Sequence, residues 1–515
     1  MCREAIVAPG RVGWIAALVA LAALAGPADA EPARALVSEA GLTAHGLPGV
    51  RLAVITPVEP ATPFAAVSPV LYLNRCTGGC TVRQGNNDAR NHVSSIPNGT
   101  AASYPITEFE LVNGQGGQAA DAEWAPLVRC MQEVYAPYNI TVTDVQPPAG
   151  TGYNEAIIAG TPDQIGQAPN VLGVAPLASD CSAIDNVISF SFANEHKGTG
   201  MARVYAMCWT AAQESAHAYG LDHEYSFTTA NAANAHSACN DPMTYRDDCG
   251  GEKFFRNETA NCGETANRAC RCGATQNSHA KVLSVFGASP LPTIVAPPSA
   301  QILELNSGDS LGTAVAVSAG AQRGVARVEL YFNGFKWAES AGAPFAQAGQ
   351  PNPSPYAIPV PSALPNSIVD VKVIAYDDLG ASTESATVTV TRGAACTTAT
   401  SCAKGQKCES GKCFWDPPTG EIGAACSYSQ FCKSALCTGT AEQQICTQSC
   451  IPDSADSCPS GFECVMSGPG TGVCFFSSSA GCCSVDRGGG AWWLPVGLGL
   501  AVLGLIARPR RRRRR

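Results

Sequence analysis

Two long stretches of this chain hold no cysteine, and nowhere does the sequence carry the paired C-x-x-C spacing of a zinc knuckle. The missing spacing argues against a zinc-finger protein, although 25 cysteines are present. Ten of them fall between Cys76 and Cys272 and twelve between Cys396 and Cys474, with none from 273 to 395. Two even groups parted by an empty stretch predict two disulfide-bearing regions in an oxidising compartment. A basic surplus is also lacking. Leaving out Arg3, Arg11, Glu4 and Asp29 at the start, and eight arginines with Asp486 beyond Cys483, 23 basic residues face 39 acidic ones. An acidic surface of that size excludes nucleic acid as a natural partner.

The two ends read as processing signals. Arg3 and Arg11 precede an apolar run from Trp14 to Ala25, and Ala28-Asp29-Ala30 follows as a small-residue cleavage site. Residues 1–30 are therefore expected to be a signal peptide, with export to the cell surface, outer membrane or medium. At the other end, Cys482 and Cys483 precede a glycine-rich spacer, the apolar stretch Ala491 to Ala507, and an arginine cluster ending at Arg515. That stretch barely matches the length needed to cross a bilayer, and the arginines would hold their end in the cytoplasm. Residues 481–515 resemble the tripartite Myxo-CTERM type of sorting signal, which implies cleavage near the cysteines and membrane attachment or release. A plain tail anchor is the alternative. Lipidation of Cys482 or Cys483 and the oligomeric state are not encoded legibly.

Between these ends the sequence predicts a multidomain chain. Residues 31–69 are rich in Ala and Pro without clear periodicity and read as a linker or vestigial pro-segment. Residues 70–288 alternate strand and helix patterns. Val70 to Asn74 reads as a buried strand, and Trp124, Leu127, Val128, Met131, Val134 and Tyr135 recur at helical spacing. Strands are expected at Ile140 to Val145 and at Val187 to Phe192, then a helix from Val204 to Tyr219. Residues 291–393 predict an Ig-like β-sandwich, with alternation from Ala326 to Phe332 running into the hairpin turn Asn333-Gly334. There Asp377 and Asp378 read as turn formers rather than calcium ligands. Residues 395–480 form a cysteine-rich module whose small core needs cross-links.

Chemistry concentrates in Gln213-Glu214-Ser215-Ala216-His217-Ala218-Tyr219-Gly220-Leu221-Asp222-His223. Gln213 and His217 lie four apart and share a helix face. Gly220 can adopt the left-handed conformation that ends a helix, so the chain can return His223 to the same point. A helix with two hydrogen-bonded core histidines is the plainer alternative. His236 and Asp222 are further potential metal donors nearby.

This Q-E-x-x-H-x-x-G-x-x-H run, followed by Asp241-Pro242-Met243-Thr244-Tyr245, resembles the metzincin metalloproteases, with glutamine in place of the first histidine. The resemblance implies an α+β protease domain over 70–288 and a zinc ion held by His217, His223 and Gln213. It implies Glu214 as general base toward a metal-activated water, Tyr245 as a ligand or oxyanion donor, and Met243 as an apolar floor under the metal. No cysteine in 31–69 is available for the cysteine-to-zinc latch some members use. The implied activity is hydrolysis of a protein or peptide substrate outside the cell. The alternative is a catalytically inactive member of the fold, serving as a surface binding or adhesion protein.

Overall fold

The computed structural model describes residues 54–58, 67–225, 241–245, 251–264, 266–342, 353–439, 443–450, 457–468 and 471–477. The expected signal peptide, most of 31–69, His236, Cys482, Cys483 and the apolar tail lie outside the described residues. No helix among the described residues is long and apolar enough to cross a membrane.

The first region is organised by a six-stranded sheet. Its strands are β1 (Val54–Val58), β2 (Val70–Asn74), β6 (Thr141–Thr143), β7 (Asn154–Ile158), β8 (Gly173–Ala178) and β9 (Ile188–Ser191), in the order β1-β8-β9-β7-β2-β6. All neighbours run parallel except β8 and β9. Alternation along β2 sends Leu71 and Leu73 to one face and Tyr72 to the other, so each face buries its own core. The first face is covered by α1 (Asp121–Tyr135) and α2 (Gly200–His217), whose buried residues include Leu127, Met131, Val204, Met207 and Ala211. The second is covered by β3 (Cys80–Gln84), β4 (Val93–Ser94) and β5 (Ser103–Ile106), which bring Val82, Tyr104 and Ile106. Cys130–Cys208 joins the two helices across 78 residues, which in the chain-entropy account contributes about 4.5 kcal/mol.

The predicted elements are present with shifted ends. Residues 54–58, within the stretch read as a linker or vestigial pro-segment, form β1 on the outer edge of β8, with Val54 opposite Val174 through Val58 opposite Ala178. Nothing periodic announces such a strand. Its partner lies more than one hundred residues away, and a backbone ladder asks little of the side chains.

The second region runs from 299 to 392. One sheet is formed by β10 (Ser299–Leu303), β11 (Ala314–Gly320) and β14 (Ser354–Pro359). The other is formed by β12 (Arg327–Phe332), β13 (Phe335–Ala341), β15 (Ser367–Tyr376), β16 (Ser382–Glu384) and β17 (Val388–Arg392). Val315, Val317, Leu330, Phe332, Val371 and Val373 share the core. Asp377 is a turn former, as expected, its Oδ1 accepting from the N–H groups of Leu379 and Ala381. Asp378 instead ties the two regions together. It pairs with Arg323 and with Arg256 of the first region, while Arg323 donates to the Phe255 carbonyl. Burial alone would raise the Asp378 carboxyl, but Arg256 and Arg323 hold it at about 2.

The same junction contains a second carboxyl with the opposite bias. Glu252 accepts from Gln322, and burial, with Glu133 close by, pushes its carboxyl up to about 8. A carboxyl raised in the folded state stabilises fully below its unfolded value, and the contribution fades as pH rises through the folded one. Glu252→Gln is therefore expected to gain stability on the order of 2 to 4 kcal/mol near pH 8 and nothing near pH 4. Denaturant titrations at the two pH values check this.

The cysteine-rich region is divided more finely than its composition suggests. Its disulfides form three crossed pairs: Cys396–Cys408 with Cys402–Cys413, Cys426–Cys437 with Cys432–Cys446, and Cys450–Cys464 with Cys458–Cys474. All cysteine pairs among the described residues stay within their own group, as the gap in cysteine spacing implied. Such a density of cross-links suits an exported protein. Trp415 packs between Trp337 of β13 and Tyr428, which joins the first of these units to both its neighbours.

Candidate metal centre

The last turns of α2 place Gln213, Glu214 and His217 in the interior, each almost fully buried. The helix ends at His217 because Gly220 turns left-handed, with φ at +88°. A side chain there is barred twice, since a Cβ would also lie 2.1 Å from the Cys181 carbonyl oxygen. The reversal carries His223 back so that its Nε2 lies 3.0 Å from the Nε2 of His217. The sequence-predicted pair is thus brought together.

The outer nitrogen of each ring is already committed. His217 Nδ1 donates to the Leu221 carbonyl at 2.7 Å, an acceptor supplied by the turn itself. His223 Nδ1 donates to Glu264 Oε1 at 3.0 Å. Burial alone would raise Glu264, but His223 and Arg268 hold its carboxyl well below the usual range, so it can only accept. Both imidazoles therefore carry their proton on Nδ1, and the two Nε2 lone pairs face each other. Burial, and then His223 beside it, push His217 down to about 3, which opposes a proton between the rings.

A cation between the two nitrogens would resolve that repulsion. Two imidazoles bound tetrahedrally to zinc at about 2.0 to 2.1 Å hold their nitrogens roughly 3.3 Å apart, close to the separation found here. The donors fit, and carboxylate or carbonyl acceptors behind metal-bound histidines are a recurring feature of such sites.

Asp222, considered as a donor from its position beside His223, has another task. It accepts from Arg268 at 2.6 and 2.9 Å and from the backbone N–H groups of His223 and Arg271. It orders the loop, and one of its oxygens lies within 4.8 Å of ligand atoms of His223 and Glu264. Glu264 escaped sequence reading because it lies 41 residues beyond His223 in a loop without periodicity. The disulfides Cys262–Cys270 and Cys181–Cys272 hold that loop in place. Glu264→Gln is expected to weaken zinc about 10- to 100-fold, because a carboxamide is a poorer acceptor for His223 Nδ1 and can present its amide instead. Chelator competition on the full chain measures it.

The segment Asp241 to Tyr245 packs beside His223. Asp241 Oδ1 accepts from the Met243 N–H at 2.8 Å, closing the turn, while Oδ2 accepts from the Arg256 N–H and from Ser278. The Met243 carbonyl accepts from the Glu224 N–H, which fastens the turn beside His223. Met243 is fully buried, and the Tyr245 ring lies 4.8 Å from that of His223. Gln213 points its amide nitrogen at the Pro242 carbonyl, 2.7 Å away, and Trp209 Nε1 donates to the same oxygen at 2.8 Å. Residue 213 thus tethers helix to turn.

Glu214 is wholly buried. Both its carboxyl oxygens are buried without a hydrogen-bond partner, and burial pushes the carboxyl well above its ordinary value. It packs against Gly173, the first residue of β8, where a Cβ would stand 2.5 Å from Oε1. The three thiol clusters with metal-ligand spacing in the cysteine-rich region are all consumed by disulfides.

No family model matches this chain, and no curated protein matches it. Among solved structures, a fibronectin(III)-like module structure of Clostridium thermocellum CbhA is 19% identical over 21% of this chain, with a TM-score of 0.15. This chain spans about half, 52%, of that one. Wild-type OgpA from Akkermansia muciniphila is 10% identical over 65% of this chain and 96% of its own, with a TM-score of 0.16. Catalytically inactive OgpA in complex with an O-glycopeptide substrate, glycodrosocin, is 10% identical over 64% of this chain and 94% of its own, with a TM-score of 0.18. At such TM-scores the functional reading rests on the residues of this chain alone.

Proposed function

We propose that residues 70–288 are a metzincin-like α+β zinc metalloendopeptidase unit acting on a protein or peptide outside the cell. The observation that carries this reading is the meeting of two Nε2 lone pairs at 3.0 Å, each ring fixed through its Nδ1. Zinc, when bound, supplies Lewis-acid polarisation of the scissile carbonyl and of water. His217 and His223 would hold it, with Gln213 and Tyr245 as the nearby candidates to complete the set. The resemblance casts Glu214 as the group that would take a proton from the attacking water and return it to the leaving amine. Tyr245 donates to the developing oxyanion, and Met243 gives the site a rigid apolar floor. The Ig-like region and cysteine-rich module would serve as spacer or adhesion surface, with residues 1–30 and 481–515 directing export and surface attachment.

The competing reading, a non-catalytic binding protein of the same fold, draws on Gln213, whose amide is used as a tether to Pro242. Zinc content and peptidase assays on the wild type and Gln213→His separate the two. An enzyme is expected to hold near-stoichiometric zinc, and imidazole at 213 to tighten it at least about 10-fold while preserving turnover. A binding protein yields no hydrolysis in either form, whatever metal the variant acquires.

A further inference from the structure

The turn from Asp241 to Tyr245 is fastened by the segment from Lys253 to Arg256. The Arg256 N–H donates to Asp241 Oδ2 at 2.8 Å, and Lys253 Nζ donates to the Thr244 carbonyl at 3.3 Å. Asp241 carries that anchorage into the turn, because its Oδ1 accepts from the Met243 N–H. Residues 252–256 belong to no helix or strand, so the segment depends on its neighbours for its position.

Those neighbours include the β-sandwich. Arg323, between β11 and β12, donates to the Phe255 carbonyl at 2.9 Å, and its own carbonyl accepts from Arg256. Asp378, in the turn after β15, takes the Arg323 guanidinium on both oxygens at 2.8 and 2.9 Å and lies 3.3 Å from Arg256. Arg323 also stands over the Phe254 ring, 4.9 Å from its centre. Both arginines are buried, so salt screens these ion pairs little. A two-pronged arginine–carboxylate contact fixes direction as well as distance. Gln322 donates to Glu133 of α1 and to Glu252, which seats the sandwich on the first region at a second place.

We infer that the β-sandwich is a working part of the metal centre, with Arg323 and Asp378 as positioning residues that act through Arg256 on the Asp241–Tyr245 turn. The clamp stands on these contacts alone, while its catalytic consequence rests on the peptidase reading, in which Tyr245 serves the developing oxyanion. There a displacement of about 1 Å can cost about 10²-fold in rate.

Asp378→Asn in the full chain keeps the side-chain volume and removes the charge. With metal chelated, hydrogen exchange is expected to run at least about 10-fold faster across 241–245 and 253–256, while β2 and β7 keep their protection. Arg323→Lys keeps the charge but loses the two-pronged contact, and should do the same even if the first variant fails to fold. Val315→Ala is the control, a cavity in the sandwich core at the far end of β11 from Arg323. It should lower the melting temperature and leave exchange in 241–245 unchanged. If the peptidase reading holds, both junction variants lower kcat about 10- to 100-fold and move KM little. Faster exchange in a chain without hydrolysis keeps the clamp and removes the protease. Unchanged exchange in 241–245 in the junction variants, or an equal rise in Val315→Ala, overturns the inference.

Discussion

Glu214→Gln is expected to lower kcat/KM at least about 100-fold while leaving zinc bound and the fold intact, because general acid–base groups contribute about 10²- to 10⁴-fold. The substitution keeps the volume of a side chain that has almost no room to spare, with Gly173 packed against it. It removes only the ability to accept and return a proton. Neither carboxyl oxygen makes a hydrogen bond, so no structural partner is lost. Retention of metal follows from geometry, since the two converging nitrogens belong to His217 and His223. Steady-state kinetics with metal analysis on the same samples tests both halves. Full activity in Glu214→Gln would falsify the assignment of Glu214 as the base, whatever the fold.

His217→Ala is expected to abolish stoichiometric zinc, weakening it at least about 100-fold, and with it all hydrolysis. Loss of a direct imidazole ligand should cost more than loss of an outer hydrogen bond, for which about 10- to 100-fold is usual. The variant also gives up the bond from Nδ1 to the Leu221 carbonyl that helps close the turn after Gly220. A buried acceptor left unpaired costs about 1 to 3 kcal/mol, so a lower melting temperature should accompany the metal loss. Isothermal titration with zinc and a thermal melt in chelator separate the two effects. Zinc binding unchanged in His217→Ala would place the metal elsewhere and leave the histidine pair a core feature.

Much of the local architecture was legible. Helical spacing from Trp124 to Tyr135 and alternation from Val70 to Asn74 are written in side chains, because one face of each element must be buried. The hairpin at Asn333-Gly334 was legible through turn chemistry. The three crossed-disulfide units were not, because their cysteine spacings differ from one unit to the next. Asp378 has the local setting of a turn residue, but its ionic partners Arg256 and Arg323 are distant in sequence.

The division within the site has the same cause. That His217 and Gln213 share a helix face, and that a glycine at 220 lets His223 return, both follow from backbone geometry within eleven residues. What those side chains meet is set by the folded chain, which gives His223 its acceptor in Glu264, sets the Gln213 amide on the Pro242 carbonyl, seats Glu214 against Gly173, and lays residues 54–58 along β8. Each of these contacts joins segments far apart in the chain, held by disulfides, ion pairs or a backbone ladder. None of those forces leaves a periodic trace in sequence, so proximity of this kind arises only when the chain has folded.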